Sequence, residues 1–528
     1  MIKLLPDNDI LYYNEDEMNH YNNQYSRKIN LNQKGKPKTK IIWRGFLLRL
    51  FILFILTLLF LLGYFSYKIY HFKKNALLET PTTATETEEP AKRKTFLEAT
   101  KELIQPNTEK LAGTERNRIN ILLLGMGGEG HQGEYLTDTI MLISIDPTTY
   151  RAALLSIPRD LYVQIPETKL KTKINAVYAY HLTNKNNSQL ESLNAIAATV
   201  EEVTNQEIDY SIALDFDGFK KIIDELGGID LEVTEDIYDP RYPGPNYSYQ
   251  TFAIQKGFQH LDAETALKYA RVRHTPSGDF GRSARQQQVI AAAKKKALSL
   301  GTIANPWKIG SLIDILGEHL KTNIRLEEIS AFIKLAEKIN VYETTNKVLD
   351  AWETDSLLAS SHVSLGGVNA YVLTPRAKNY SQIHDLAENI FDLQKIEMKK
   401  EKIKTENAKI KVLEKSNQSP LKIKNSFKHL GYEIAFAPRD SGESDCMGED
   451  KIISLSENPK IFTLDDLTAK LNIPVSYQTK SEDESGDILI CISDQTASYF
   501  EKQNQTKDEE RFKDQQIVSQ EGKILTGE

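Results

Sequence analysis

The sequence predicts an α/β protein: a layered α-β-α domain built on a central sheet, preceded by one transmembrane helix and followed by a small α/β domain. Three observations carry that prediction. From Arg118 onward, short apolar runs alternate with longer segments whose apolar residues fall on one helical face, the pattern of strands layered against helices. Leu50 to Tyr67 (LFILFILTLLFLLGYFSY) carries no charge, and Phe46 to Leu48 extend it beyond Arg49; roughly 20 apolar residues cross a bilayer. Gln394 to Lys411 (QKIEMKKEKIKTENAKIK) is densely charged and separates a second, shorter set of strands and helices from the first.

Residues 1–45 are polar, rich in Asn, Tyr and Lys, and read as a disordered cytoplasmic tail. Arg27, Lys28, Lys34, Lys36, Lys38, Lys40 and Arg44 precede the apolar span, against Lys68, Lys73 and Lys74 close behind it. Such an excess marks the cytoplasmic side. The expectation is therefore a single-pass protein of the cell membrane, crossing at 46–67, with the later domains outside. The span lies too far from the start for a signal-peptide core, and no small-residue cleavage site follows it cleanly. Residues 68–116 form an extracellular linker, in which Thr80–Pro90 (TPTTATETEEP) is an extended spacer.

The main domain is expected over 117–391. Ile119–Leu124 is a buried strand ending at Gly125; Ile140–Ile145 and Ala152–Ile157 follow, the last stopped by Pro158. Gln189–Thr204 is a helix, Tyr210–Leu214 a strand and Phe216–Leu226 a helix ended by Gly227-Gly228, since glycine accepts the left-handed cap. Ile229–Val233 is a further strand. Asp262–Arg271 and Arg282–Leu300 are helices flanking an arginine-rich loop. A charged connector, helical or disordered, fills 392–409. The small domain at 410–495 takes strands at Ile410–Leu413, Tyr432–Ala437 and Asp487–Ile492 and helices at Leu421–Leu430 and Leu464–Leu471; 496–528 is a polar, disordered tail.

The chain has 528 residues, enough for two to three domains at ~150 residues each. Its net charge of −7 excludes nucleic-acid binding by bulk electrostatics. Cys446 and Cys491 are the only cysteines; they can pair, but cysteine-rich metal sites and disulfide frameworks are excluded.

Chemistry concentrates in Tyr269–Gln287 (YARVRHTPSGDFGRSARQQ), where Arg271, Arg273, Arg282 and Arg285 surround one acid, Asp279. A generic charge run is a solvated helix face. Several guanidiniums around a Ser-Gly turn also suit an oligo-anion such as pyrophosphate, because each presents a rigid fork of donors to phosphate oxygens. Asp279 can orient such a fork, bind metal or take a proton. Gly125, Gly127, Gly128 and Gly130 form a glycine-rich loop after the first strand, with neither P-loop nor dinucleotide spacing. Asp138 (LTDTIML) stands at the mouth of a buried strand, where it either caps the turn or binds magnesium, an ion that shares oxygen ligands with phosphates. Arg159, beside Asp160, stands beyond a strand's carboxyl end, where open α/β sheets bind ligands. Lys173 and Asn175 (TKIN) fall at an expected helix start, which attracts phosphate.

The ordered set LLLG, LTDTIML, LLSIPRD, TKIN, LDFDGFKKIIDELGGIDLEV and HLDAETALKYARVRHTPSGDFGRSARQQQ, from Asn117 to Leu300, resembles the LytR-CpsA-Psr family of membrane-anchored bacterial envelope enzymes. Residues from Ile410 to Asp494 look, more loosely, like the LytR C-terminal domain, with Glu414-Lys415 in place of the usual Asn-Gly. The resemblance implies a phosphotransferase that moves a glycopolymer, such as teichoic acid, from a polyprenyl-pyrophosphate carrier to peptidoglycan as a phosphodiester. Slow pyrophosphate hydrolysis would be a side activity, and the lipid tail would lie in an apolar tunnel. It implies catalytic roles for Asp138, Arg159, Asp279 and Arg282, with Asp138 also holding magnesium. Arg271, Arg273, Arg285, Gln286, Lys173 and Asn175 would bind substrate. Partners would be the polyprenyl-pyrophosphate-linked glycan, the peptidoglycan acceptor and the membrane. Many members carry an acid after the first strand and an arginine two residues before the acid matching Asp138; Gly127 (or Met126) and Leu136 stand there instead, leaving Glu129 or His131 to supply the missing ligand. The alternative is a non-catalytic envelope regulator, or a glycan- or lipid-carrier-binding protein, with the same fold. A DNA-linked regulator is disfavoured, because residues 1–45 hold no helix-turn-helix pattern.

Overall fold

The computed structural model describes residues 60–76 and 110–503, apart from 62, 73, 132, 185–186, 244–248, 273–277, 304, 340–343, 352–355, 414–418, 438–448, 456–457 and 479–485. The tail expected at 1–45 and most of the span expected at 46–67 lie outside the described residues. Residues 63–67 are helical, and among the described residues no helix is long and apolar enough to cross a membrane. Of the linker expected at 68–116, residues 77–109 also lie outside; residues 68–72 and 74–76 are helical and Thr114–Arg116 form a 3-10 turn.

The central sheet is mixed. Its six strands are β1 (Ile119–Met126), β2 (Thr137–Ile145), β3 (Ala152–Ser156), β4 (Tyr210–Asp215), β5 (Leu320–Thr322) and β6 (Thr345–Val348), in the order β5-β4-β1-β2-β3-β6. β4 runs parallel to β1 and β6 parallel to β3, whereas β2 and β5 run against their neighbours. Strand alternation sends Leu122, Leu124, Leu142 and Leu155 to one face, against Leu193, Ile196 and Val200 of α1 (Gln189–Thr204). Ile119, Ile121 and Ile145 go to the other face, with Tyr210 and Leu335. The result is an apolar core on each side of the sheet. The first core also takes in Ile383, Ala387 and Ile390, with Phe391 packed against it; this brings α6 (Ser381–Glu388) onto α1.

Local signals set the helix ends. Ser188 caps α1 in a reciprocal box with Glu191, and Asp215 caps α2 (Phe216–Leu226) by accepting the Gly218 N–H. Gly227 ends α2 at φ 76°. Asp262 caps α3 (Ala263–Arg271). The next helix departs from expectation: α4 runs Gly278–Ala297, starting four residues before Arg282. An interior glycine costs a helix ~1 kcal/mol, yet Gly281 is buried here without breaking it. β5 (LKT) and β6 (TNKV) had no apolar run to announce them.

Beyond Phe391 the charged connector is a helix, α7 (Gln394–Glu406), with no buried residue. It packs on α9 of the C-terminal module. That module holds a second mixed sheet of β7 (Ile410–Leu413), β8 (Ile434–Ala437), β9 (Lys451–Ser454), β10 (Val475–Tyr477) and β11 (Ile488–Cys491), ordered β8-β7-β11-β9-β10. Its helices are α8 (Pro420–His429), α9 (Ile461–Leu471) and α10 (Asp494–Glu501). α10 corrects the tail expected from 496: Ser493 caps it, and Phe500 is buried at 1% exposure against Phe427. Polar neighbours hid that anchor in the sequence. Residues 504–528 lie outside the described residues.

Candidate functional site

The topology places six strand ends on one edge of the central sheet. β1, β3, β4 and β6 finish there, and the antiparallel β2 and β5 begin there. Open α/β sheets bind ligands beyond this edge. Asp138 is the second residue of β2. Arg159 follows β3 by three residues, past Pro158, and its Nη1 donates to Asp138 Oδ1 at 2.6 Å. Asp160 lies 3.7 Å from Arg159 Nε and accepts from Lys173 Nζ at 2.6 Å. Asp138, Arg159, Asp160 and Lys173 thus form one chain of alternating charge, each about a third exposed or less.

α4 closes the site from the opposite side. Arg282 and Gln286, one helical turn apart, line the same cleft as Asp138, Thr139 and Asp160. Gln286 Nε2 donates to Thr139 Oγ1 at 3.0 Å, fastening the helix to β2. Arg282 is 7% exposed. Asp350, Tyr371 and Leu373 complete the wall. The cleft encloses about 30 Å³, room for at least one water molecule.

The other expected site residues take different positions. Arg285 is 3% exposed and turns away from the cleft. Its Nε donates to the Tyr269 carbonyl at 3.2 Å, its Nη2 to the Val272 carbonyl at 2.5 Å, and its Nη1 lies 3.6 Å from Glu235. It caps the last turn of α3, where a cation is favoured; this differs from the expected substrate contact. Arg271, at the end of that helix, lies 4.3 Å over the Phe216 ring. Lys173 ends a strand (Lys171–Lys173) rather than opening a helix. Asn175 is buried in a 3-10 turn ahead of the helix Val177–Asn184, its carbonyl accepting from the Thr137 hydroxyl at 3.3 Å. The α-helix expected at TKIN therefore starts only at Val177. Arg273 and the Asp279 side chain lie outside the described residues.

Neither candidate for the missing acid reaches this cleft. Glu129 is exposed, and His131 Nε2 sits 3.7 Å from Asp217 at the start of α2. A carboxylate does approach the glycine loop from β4: Asp215 abuts Gly128, where a Cβ would come within 2.7 Å of its Cβ. Asp215 also accepts from His319 Nδ1 at 2.9 Å. The sequence reading passed over Asp215, Phe216, Asp350 and Tyr371. The DFDGF stretch carried a signal for the first two; Asp350 follows the polar strand β6 and Tyr371 lies inside the strand Val368–Pro375, and neither had one.

The model of the LytR_cpsA_psr family matches residues 76–356. The chain belongs to this family. The teichoic acid transferase TagV of Bacillus subtilis, named a polyisoprenyl-teichoic acid–peptidoglycan teichoic acid transferase, is 30% identical over 353 residues, covering 66% of this chain and 80% of the relative. TagU of Oceanobacillus iheyensis, named for the same transfer, is 33% identical over 221 residues, 42% of this chain and 63% of its own length. The crystal structure of B. subtilis TagV aligns with 30% identity and a TM-score of 0.39, covering 52% of this chain and 97% of that one. The family match ends before β7, so the C-terminal module lies beyond it.

Proposed function

We propose that this member of the family is a membrane-anchored phosphotransferase that moves a glycopolymer from a polyprenyl-pyrophosphate carrier to peptidoglycan. The observation that carries the reading is the convergence of Asp138, Arg282 and Gln286 on one cleft at the sheet's carboxyl edge, with Arg159 bonded to Asp138 beside it. The naming of TagV and TagU as transferases supports the substrate class. The uncharged run at Leu50–Tyr67 supports the anchor.

In the reaction, a sugar hydroxyl of peptidoglycan attacks the glycan-side phosphorus. A new P–O bond forms, the phosphoanhydride bond breaks, and its electron pair leaves with polyprenyl phosphate. The hydroxyl proton passes to a carboxylate, Asp138 or Asp279. Arg159 and Arg282 hold the charged phosphoryl oxygens, so that catalysis is positioning and charge stabilisation. Gln286 keeps α4 in register with β2 through Thr139. Water in place of the sugar would give slow pyrophosphate hydrolysis.

Asp138 suits magnesium. Arg159 occupies its Oδ1, and its Oδ2 has no partner among the described residues. Magnesium is commonly held by one or two carboxylates together with substrate phosphates, so the absence of a cluster of three ligating side chains among the described residues is compatible with it. When bound, the ion would polarise the phosphoryl oxygens. A binding protein with the same fold is favoured by one observation, Gly127 (or Met126) standing where many family members carry an acid. One assay separates the two readings: hydrolysis of a polyprenyl-pyrophosphate analogue by the full chain, with and without magnesium. Metal-dependent turnover lost in Asp138→Ala supports the enzyme. Lipid binding without turnover supports the binder.

A further inference from the structure

A larger cavity lies where the C-terminal module meets the main domain. It has a volume of about 400 Å³, within the range of small-ligand sites, which favour such junctions. Val348, Leu349 and Asp350 line both this cavity and the Asp138 cleft, so the two are separated by a single segment of chain after β6. Family membership accounts for the cleft; the junction cavity draws on α7 and α9, beyond the family match.

The cavity wall sorts into three kinds of group. The first is charge committed to itself: Lys399 pairs with Asp385 at 2.6 Å and with the buried Asp466 at 3.3 Å, Lys470 with Asp466 at 2.6 Å, and Lys400 with Glu397 at 2.9 Å. This network holds α7 and α9 in place. The second is an apolar floor of Leu357, Leu386, Leu393, Ile396 and Ile403. The third kind is uncommitted. The exposed Lys347 ammonium, at the cavity's edge, has no ion-pair partner among the described residues, and the partly exposed Gln382 carboxamide makes no hydrogen bond there. An ammonium selects a carboxylate. An unpaired carboxamide offers a donor and an acceptor, the complement of a peptide group. Aliphatic walls take methyl-sized side chains.

We infer that the junction cavity binds a short peptide bearing a free carboxylate and small aliphatic side chains. In an envelope transferase that peptide would be the stem of the peptidoglycan acceptor, and this source rests on the function proposed above. Seated there, the stem would bring its own glycan hydroxyl to the neighbouring cleft across the Val348–Asp350 segment. The C-terminal module would thus select the acceptor while the main domain performs the transfer.

The test is calorimetric binding of a soluble muropeptide with a free stem carboxylate to the full chain in detergent. The same muropeptide amidated at that carboxylate, and a peptide-free aminosugar oligomer, serve as comparison probes. The inference predicts binding of the first probe, at least tenfold weaker binding of both others, and at least tenfold weaker binding to Lys347→Glu. Gln382→Leu, which removes hydrogen-bonding capacity without adding charge, should weaken binding as well. Equal affinity for all three probes, or undiminished affinity in both folded variants, would overturn the inference. So would absence of muropeptide binding in a chain that turns over polyprenyl pyrophosphate. Loss of that turnover with muropeptide binding intact would count against the Asp138 reading alone.

Discussion

The two sheets of this protein use charge in opposite ways. In the main domain, the strand edge gathers Asp138, Arg159, Asp160 and Lys173, each partly open to solvent. In the C-terminal module the comparable charges are turned inward. Asp466, 5% exposed, accepts from the Tyr432 hydroxyl and pairs with Lys470 and Lys399. Burial acts to raise the Asp466 carboxyl, yet Lys470, Tyr432 and Lys399 hold it below the usual carboxylate value. Burial likewise pushes the Lys470 ammonium down and the Tyr432 phenol up. The first arrangement leaves donors to meet a phosphate; the second uses paired charge to fix two helices and a sheet. Whether a charge cluster is a site or a staple is decided here by exposure and by where the partners come from, and composition alone does not separate them.

The largest effect expected is on the buried side. Asp466→Ala leaves Lys470 and Lys399 without their shared carboxylate, a loss of ~3–5 kcal/mol for breaking a buried pair. Hydrogen exchange localised to 410–503 in the full chain should show it. The pH dependence has a definite sign. The folded carboxyl is depressed, so its stabilisation is fully present above the unfolded carboxylate value of ~3.9 and is lost as pH falls through the lower folded value. Asp466→Asn should abolish that acid-side loss of protection. A wild-type module that instead loosens between pH 6 and 8 would contradict this assignment.

Next comes the open side. Arg282→Ala should lower the rate of transfer by ~100- to 1000-fold, the effect of removing one charge-stabilising donor, with little change in melting temperature. A rate within a factor of three of wild type would remove Arg282 from the clamp. Arg285 sharpens the contrast because it adjoins the site in sequence yet behaves like the buried set. Arg285→Ala leaves the Tyr269 and Val272 carbonyls uncapped and should cost ~1.5–3 kcal/mol. Because Arg271 ends the same helix, a higher KM for lipid carrier should accompany the lower stability. Smallest is Ser188→Ala, which removes the α1 capping box for ~1 kcal/mol. Thermal unfolding should shift by a few degrees while the transfer rate holds.

Much of the fold was legible because its strands are buried apolar runs. INILLLGM and AALLS declare themselves, and Gln189–Thr204 and Phe216–Leu226 were bounded by visible caps. β5, β6 and α10 were not legible, since three or four polar residues on an edge, or one phenylalanine in a polar helix, carry no periodic signal. The site was legible as a list of residues and illegible as an arrangement. Helical spacing already places Arg282 and Gln286 on one face, but that Arg285 turns to the Tyr269 and Val272 carbonyls depends on how α3 packs on α4, which the sequence does not encode locally. Asp350 and Tyr371 enter the cleft through tertiary contacts that no local pattern encodes.

The central claim is that phosphoryl transfer takes place at the Asp138 edge. The most direct measurement is the stoichiometry of glycan phosphate appearing on peptidoglycan against polyprenyl phosphate released, for the full chain and for Asp138→Asn with its folding verified. The account predicts one-for-one appearance in the wild type and loss of both products in the variant. Undiminished transfer by Asp138→Asn would contradict it.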